Sequence, residues 1–294
     1  MAGSSKDLVG NAATVDVAAG GKYPEDLYRY TDTAKSEIHG LDKVAENDIR
    51  FFHQEGYLVV HDAFTREEIA DGLAGITDLI NGNNPEFKGL QYENSMQKQP
   101  DELSLLERHS YARKLFFFAD YDPRTKAMTE HPKLLSALRK LIDAEELTMF
   151  QDMALLKPPL TGREKPWHQD LAYFKVPLST VVVGVWIALD EATVRNGCMV
   201  VIPGSHNQGP VTHFKRRDWQ ICDTDINNNG AVAVPLKPGG CLFFHGLMHH
   251  GTPANRSNLR RRALQFHYKA SNSPSISEEE RLATFGNEGK DVSC

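Results

Sequence analysis

From about residue 147 to about residue 270, short runs rich in Val, Phe and Ile alternate with Gly, Pro and Asn. Runs of this kind read as strands, here over 148–157, 180–189, 198–202, 231–236, 241–245 and 261–269. No helical stretch separates them, so a sandwich or barrel is expected rather than a parallel α/β sheet. The pair Asn196-Gly197 is a hairpin signal between two of the runs. Upstream the pattern is different. Thr65 with Glu68 makes a capping box, and Ile69, Leu73, Ile76 and Ile80 at helical spacing predict a helix over 66–80. Asn47 or Asp48 caps a short helix ending near Gly56, and Tyr57–Val60 reads as a strand. Pro132 opens a further helix whose apolar face carries Leu134, Leu135, Leu138 and Leu141. Residues 85–110 show no period and read as a long loop. Residues 1–22 are small and polar and read as a mobile tail. The expected organisation is an N-terminal extension over 1–45, in part disordered, before one domain over 46–294 that is mainly β with flanking helices.

Bulk properties narrow the function. The net charge of −6 argues against a general binder of nucleic acid or of membrane surfaces. No run of 18 apolar residues occurs. None of the cysteines forms a Cys-x-x-Cys pair, so thiolate zinc sites are not expected and free thiols are the simpler reading. The first residues lack the apolar stretch of a signal peptide, and Asp291-Val292-Ser293-Cys294 is neither a peroxisomal address nor a prenylation box. A cytoplasmic location is the resulting expectation. Nothing in the sequence speaks to oligomeric state.

The segment Pro166-Trp167-His168-Gln169-Asp170 brings an imidazole and a carboxylate two residues apart. In extended chain such residues point to the same side, so both can face one metal. A third ligand has to come from elsewhere, and Met248-His249-His250-Gly251 offers it. Two histidines and one carboxylate on one face of an octahedron leave positions open for O2 and a bidentate co-substrate, the arrangement used for non-haem Fe(II). A surface ion pair is the plain alternative for His-x-Asp alone. His245 and His249 compete with His250, and neighbours in extended chain face opposite ways. Arg261, in the last run, is suited to hold a distal carboxylate bidentately, although Arg260, Arg261 and Arg262 also read as an exposed basic turn.

The ordered set His168-Gln169-Asp170, Trp186, Asn196-Gly197-Cys198, Pro203-Gly204-Ser205-His206, His250-Gly251, Asn255-Arg256-Ser257 and Arg261 resembles the phytanoyl-CoA dioxygenase family over about residues 46 to 270. The resemblance implies a double-stranded β-helix (jelly-roll, cupin-like) core packed by N-terminal helices. It implies Fe(II), with 2-oxoglutarate and O2 as co-substrates. By position, His168, Asp170 and His250 are the implied iron ligands and Arg261 the partner of the distal carboxylate. Lys114, Met153, Gln169 and Trp186 match positions that line the co-substrate pocket. The implied reaction decarboxylates 2-oxoglutarate to succinate and CO2 and hydroxylates a substrate C–H. Asp170 favours hydroxylation, because related halogenases lack this carboxylate. The substrate is an acyl-CoA or a small metabolite. Lys215-Arg216-Arg217 and Arg256 are candidates for an anionic head group, and Tyr173, Phe174 and Trp219 for an apolar wall. Segment 207–230 reads as a lid. Two other classes stay open: a non-catalytic metal-binding or sensor protein of the same fold, and a cupin-like metalloenzyme that does not use 2-oxoglutarate.

Overall fold

A computed structural model describes residues 21–286 and the backbone of residues 14 and 15. The helices are α1 (Glu46–Glu55), α2 (Arg66–Asn81), α3 (Leu105–Tyr111), α4 (Pro123–Thr129), α5 (Pro132–Ile142) and α6 (Glu278–Phe285). The strands are β1 (Thr14–Val15), β2 (Asp32–Thr33), β3 (Tyr57–Val60), β4 (Leu90–Tyr92), β5 (Ala112–Phe116), β6 (Leu147–Lys157), β7 (Lys165–His168) and β8 (Val183–Ala188). They continue with β9 (Met199–Val201), β10 (His213–Lys215), β11 (Trp219–Ile221), β12 (Val232–Val234), β13 (Cys241–His245), β14 (His250–Thr252) and β15 (Arg261–Ala270).

Two large sheets, mostly antiparallel, lie face to face as a jelly-roll. One runs β1-β4-β5-β6-β15-β8-β13-β3 and the other β2-β12-β9-β14-β7. Strand alternation divides the core. From β15, β8 and β13, Leu264, Phe266, Val185, Ile187 and Phe243 join the cluster packed on the helices. The intervening Ala263, Trp186, Ala188, Leu242 and Phe244 pack instead with Met199 and Val201 of the second sheet. Both faces of the large sheet are therefore buried, which explains why its strands read as continuous apolar runs. Helix α2 starts at the Thr65/Glu68 capping box and ends on Gly82 in the left-handed region. Helix α1 begins before Asn47: its cap is Ala45, and Asp48 accepts the Ala45 N–H from inside the first turn.

Several expectations change. Residues 85–110 are not one long loop, because β4, a 3-10 turn at Pro100–Glu102 and most of α3 fall there. Ser104 caps α3, accepting the Glu107 N–H while Glu107 reaches back to Ser104 N. The Asn196-Gly197 turn does not join a hairpin. Strand β8 pairs with β13 and β15, whereas β9 pairs with β12 and β14, so the turn carries the chain from one sheet to the other. Local turn chemistry fixes the reversal but not the partner strand. Segment 207–230 contains the β10–β11 hairpin, tied down by the Arg217 ion pairs to Glu164 and Asp223.

Much of the expected mobile tail, 1–22, lies outside the described residues, but Thr14–Val15 pairs in parallel with β4. The rest of the N-terminal extension is built into the fold. Thr31 and Ala34 N–H groups donate to Ala231 and Ala233 carbonyls, and Tyr28 stacks on Trp167 at 5.6 Å. Cys198 and Cys241 are buried free thiols, whereas Cys222 is disulfide-bonded, against the expectation of free thiols. No described helix is long and apolar enough to cross a membrane.

Candidate metal and co-substrate site

Strand β7 delivers His168 and β14 delivers His250, paired directly across the ladder. Strand β7 ends at His168, and Asp170 opens a 3-10 turn. Gln169 between them is still extended, so the alternation persists and both ligand-type side chains face inward. His168, Asp170 and His250 are buried, with one donor atom of each within 4.8 Å of the others.

The hydrogen-bond roles decide what fits there. Nδ1 of His168 donates to the Pro166 carbonyl at 2.7 Å, and Nδ1 of His250 to the Met248 carbonyl at 3.0 Å. Both Nε2 atoms are therefore lone-pair acceptors in the neutral rings. They face Asp170 Oδ1, another acceptor, at 3.2 and 3.5 Å. Burial, with His250 and Lys165 nearby, pushes the His168 imidazole down to about 4. Burial alone would raise the Asp170 carboxyl, but His250 and His267 and the hydrogen bonds around it hold it well below the carboxylate range. Two imidazole Nε2 atoms and one carboxylate oxygen converging within 4.8 Å of one another make a site for a cation. Nitrogen and oxygen donors in this number suit iron and leave coordination positions open.

The second oxygen of Asp170 is spoken for. Oδ2 accepts from His267 Nε2 at 2.7 Å and from Gln265 Nε2 at 3.3 Å. Oδ1 is thus the oxygen left facing His168 and His250. Sequence reasoning missed both residues, yet the signal was present: Arg261, Gln265 and His267 fall on alternate positions of one strand, the face that also carries Arg261 inward.

Arg261 is 2% exposed. Its guanidinium lies 5.4 Å over the Trp186 ring, and Nη1 donates to the Leu155 carbonyl at 3.2 Å. Its Nε has no partner. Burial lowers its ionisation to about 10, and no carboxylate lies within ion-pair distance among the described residues. A cavity of about 360 Å³ brings Arg261 together with His168, Asp170 and His250. Lys114 and Met153 also line it. Trp186 is fully buried beneath Arg261 and is not part of the lining. Gln169 does not line it either: its amide donates to the Gly209 and Leu247 carbonyls and accepts the Val211 N–H, each at 2.8 Å. As the odd member of His-x-Asp, it faces away from His168 and Asp170 and ties the segment down.

His249 lies on the opposite side from His250, buried, with Nε2 unpartnered. The His245 and His206 rings meet at a tilt with centroids 5.0 Å apart, and neither lines the cavity. Arg262 points away from the site into a bidentate pair with Asp190, with both contacts at 2.8 Å. Arg260 donates to the His109 carbonyl. Tyr173 and Phe174 line the cavity, while Trp219 does not; its carbonyl accepts the Tyr173 hydroxyl at 2.7 Å. Phe117 also lines it, with φ of 52°, a left-handed backbone position unusual for a bulky residue.

A jelly-roll core holding two histidines and one carboxylate, with a buried arginine in the same cavity, defines a non-haem iron oxygenase of the 2-oxoglutarate-dependent class. The phytanoyl-CoA dioxygenase (PhyH) family matches residues 52–263, and the chain belongs to that family. It is a non-haem Fe(II)/2-oxoglutarate-dependent dioxygenase, with iron and 2-oxoglutarate as its cofactors. Phytanoyl-CoA dioxygenase domain-containing protein 1 of Danio rerio is 27% identical over 282 residues, covering 82% of this chain and 96% of that one. Peroxisomal phytanoyl-CoA dioxygenase of Bos taurus is 35% identical over 132 residues, covering 41% of this chain and 39% of that one. Among solved structures, EvdO2 from Micromonospora carbonacea var. aurantiaca complexed with 2-oxoglutarate has the same fold. It superposes with a TM-score of 0.62 at 22% identity, covering 82% of this chain and 97% of that one. The carbocyclase SnoK from nogalamycin biosynthesis gives 0.64 at 18% identity, covering 84% of this chain and 93% of that one.

Proposed function

We propose that this dioxygenase hydroxylates a C–H bond of a small-molecule or acyl substrate. In this reading His168, Asp170 and His250 hold the iron, and Arg261 holds the distal carboxylate of 2-oxoglutarate. The observation that carries it is the convergence of three facing acceptors and a buried, unpaired guanidinium on one cavity. A buried cation of that kind calls for an anion, and the co-substrate's distal carboxylate supplies one. When bound, iron and 2-oxoglutarate draw the oxidising equivalents from O2, with succinate and CO2 as the co-substrate's products.

The chain's own residues set the geometry. Gln265 and His267 hold Asp170 so that Oδ1 faces the metal. Trp186 supports the guanidinium from below, and Gln169 staples the loops that flank the ligand segment. Phe116, Phe117, Tyr173 and Phe174 supply apolar wall that excludes water and positions an apolar stretch of substrate, while Lys114 and Met153 complete the lining. The solved relatives include a carbocyclase and an epimerase, so the outcome is set by which substrate bond faces the metal, not by the fold. The retained carboxylate of Asp170 supports hydroxylation. Arg217 is committed to Glu164 and Asp223, which removes one candidate contact for CoA phosphates and favours a compact free metabolite. The packing of residues 23–45 supports a domain that begins near Tyr23. A cytoplasmic location remains part of this proposal.

The test is succinate release with Fe(II), 2-oxoglutarate and a panel spanning acyl-CoAs and free metabolites, read together with a one-oxygen mass gain in the substrate. Metal binding without 2-oxoglutarate binding would favour the co-substrate-independent metalloenzyme. Binding of both with no turnover on any substrate would favour the sensor.

A further inference from the structure

Arg261 is not the only buried cation at its end of the cavity. Lys157 is its direct partner in the β6–β15 ladder and lines the same cavity. Only 3% of Lys157 is exposed. Its ammonium donates to the Thr252 carbonyl at 3.2 Å and to the Pro253 carbonyl. No carboxylate is within ion-pair distance of Lys157 or of Arg261 among the described residues. The acidic groups that act on the two are already taken: Glu93 pairs with Arg113 and Arg163, Glu164 with Arg217, and Asp190 with Arg262.

A neutral donor would serve two main-chain carbonyls as well as an ammonium does. Placing a positive charge beside a second buried positive charge raises the energy of the empty pocket. Burial and the neighbouring Arg261 accordingly hold the lysine well below its usual range. The ammonium has three donors, two of which are used on carbonyls, leaving one for the cavity. The surroundings fix its place. Gly197 has φ of 85°, and a Cβ there would lie 2.5 Å from the Pro253 oxygen and 3.1 Å from Lys157 Cδ. That glycine therefore lets the Pro253 carbonyl and the lysine stem meet.

We propose that Lys157 is a specificity-determining residue for the co-substrate, forming with Arg261 a paired cation that selects a 2-oxo acid with a distal carboxylate. This rests on the reading of Arg261 as the distal anchor. It adds a second function to the lysine strap: by bonding to carbonyls just beyond His250, Lys157 links the strand bearing the anchor's neighbour to the strand bearing a metal ligand.

The test compares 2-oxoglutarate with 2-oxovalerate, which has the same chelating end but a methyl in place of the distal carboxylate. Dissociation constants are read anaerobically from the Fe(II) charge-transfer band, without turnover. Lys157→Gln keeps a donor for the carbonyls and removes the charge; Lys157→Met removes both. Lys157→Gln is expected to weaken 2-oxoglutarate about 10-fold or more while leaving 2-oxovalerate within about 3-fold. Equal weakening of both acids by Lys157→Gln would reduce the lysine to a structural strap, and unchanged 2-oxoglutarate binding would refute the proposal. If Lys157→Met does not fold, the Gln variant decides alone. Arg261→Met is the control for the underlying reading: if it too leaves 2-oxoglutarate binding intact, the anchor itself is misassigned, and the failure is not specific to Lys157.

Discussion

Nε2 of His267 lies 2.7 Å from Oδ2 of Asp170, and this contact leaves Oδ1 as the oxygen facing His168 and His250. The imidazole is fully buried among Phe150, Phe174 and Phe244, so its ring orientation is set by packing. His267→Leu should keep the apolar packing and lose the donor. Iron affinity is expected to fall by about 10- to 100-fold, as for other residues that orient a metal ligand. Equilibrium titration with Fe(II) checks this; wild-type affinity in the Leu variant would leave Gln265 as the sole orienting group.

Removal of any one of His168, Asp170 or His250 should abolish most metal binding, whereas His249→Ala should not. The two neighbouring histidines face opposite ways, and only His250 is among the converging donors. Metal content after anaerobic reconstitution of the four variants separates them. Retention in His250→Ala with loss in His249→Ala would reverse the assignment.

The three consecutive arginines should behave differently. Arg261→Ala is expected to weaken 2-oxoglutarate binding by roughly 30-fold or more, since truncating one side of a buried charge pair costs about 2–5 kcal/mol. Arg262→Ala breaks a partly exposed bidentate pair with Asp190 and should cost about 1 kcal/mol of stability, with co-substrate binding within a few-fold of wild type. Arg260→Ala should also stay within a few-fold. A matched set of binding titrations and thermal melts distinguishes the two kinds of loss.

Truncation to residue 35 should destabilise the domain. It removes the Leu27 carbonyl that accepts from the Trp167 indole at 2.9 Å and the Tyr28 hydroxyl that donates to buried Glu164 at 2.6 Å. Leaving the buried Trp167 indole without its acceptor and Glu164 with Arg217 alone is expected to lower the melting temperature by roughly 5 °C or more. An unchanged melt would show that this segment is an accessory to the sheet.

Acid should loosen the ligand segment through His213. Burial pushes this imidazole down to about 3, and its Nε2 accepts the Gln169 N–H at 3.0 Å, between His168 and Asp170. The folded pKa lies below the unfolded value of about 6.5, so the unfolded chain binds the extra proton in that window. Stability is therefore complete above about pH 6.5 and falls as the pH drops, by about 2 kcal/mol at pH 5 from this group. Burial likewise pushes His245 down to about 4, adding in the same direction. Melts of metal-free protein from pH 8 to pH 5 should show the decline, and a flat profile would contradict it.

The strand-rich half, α2 and the ligand candidates were legible because each depends on short-range rules. Alternation identifies strands, Thr65 with Glu68 marks a helix start, and His168 and Asp170 share a side in any extended segment. The long-range pairings were not legible. Asn196-Gly197 specifies a reversal, but whether the next strand joins the same sheet depends on which hydrophobic face is free to receive it. Residues 85–110 lacked a period because their short elements are held by neighbours rather than by their own pattern. His267, Gln265 and Lys157 carry no local mark of function; they acquire it from what faces them across the ladder. The sequence by itself thus determined the kind of elements and the chemical inventory of the site. Only the tertiary structure decided that Oδ1 of Asp170 faces His168 and His250 and that two buried basic side chains, Lys157 and Arg261, line one cavity, because those facts arise from contacts between strands far apart in the chain.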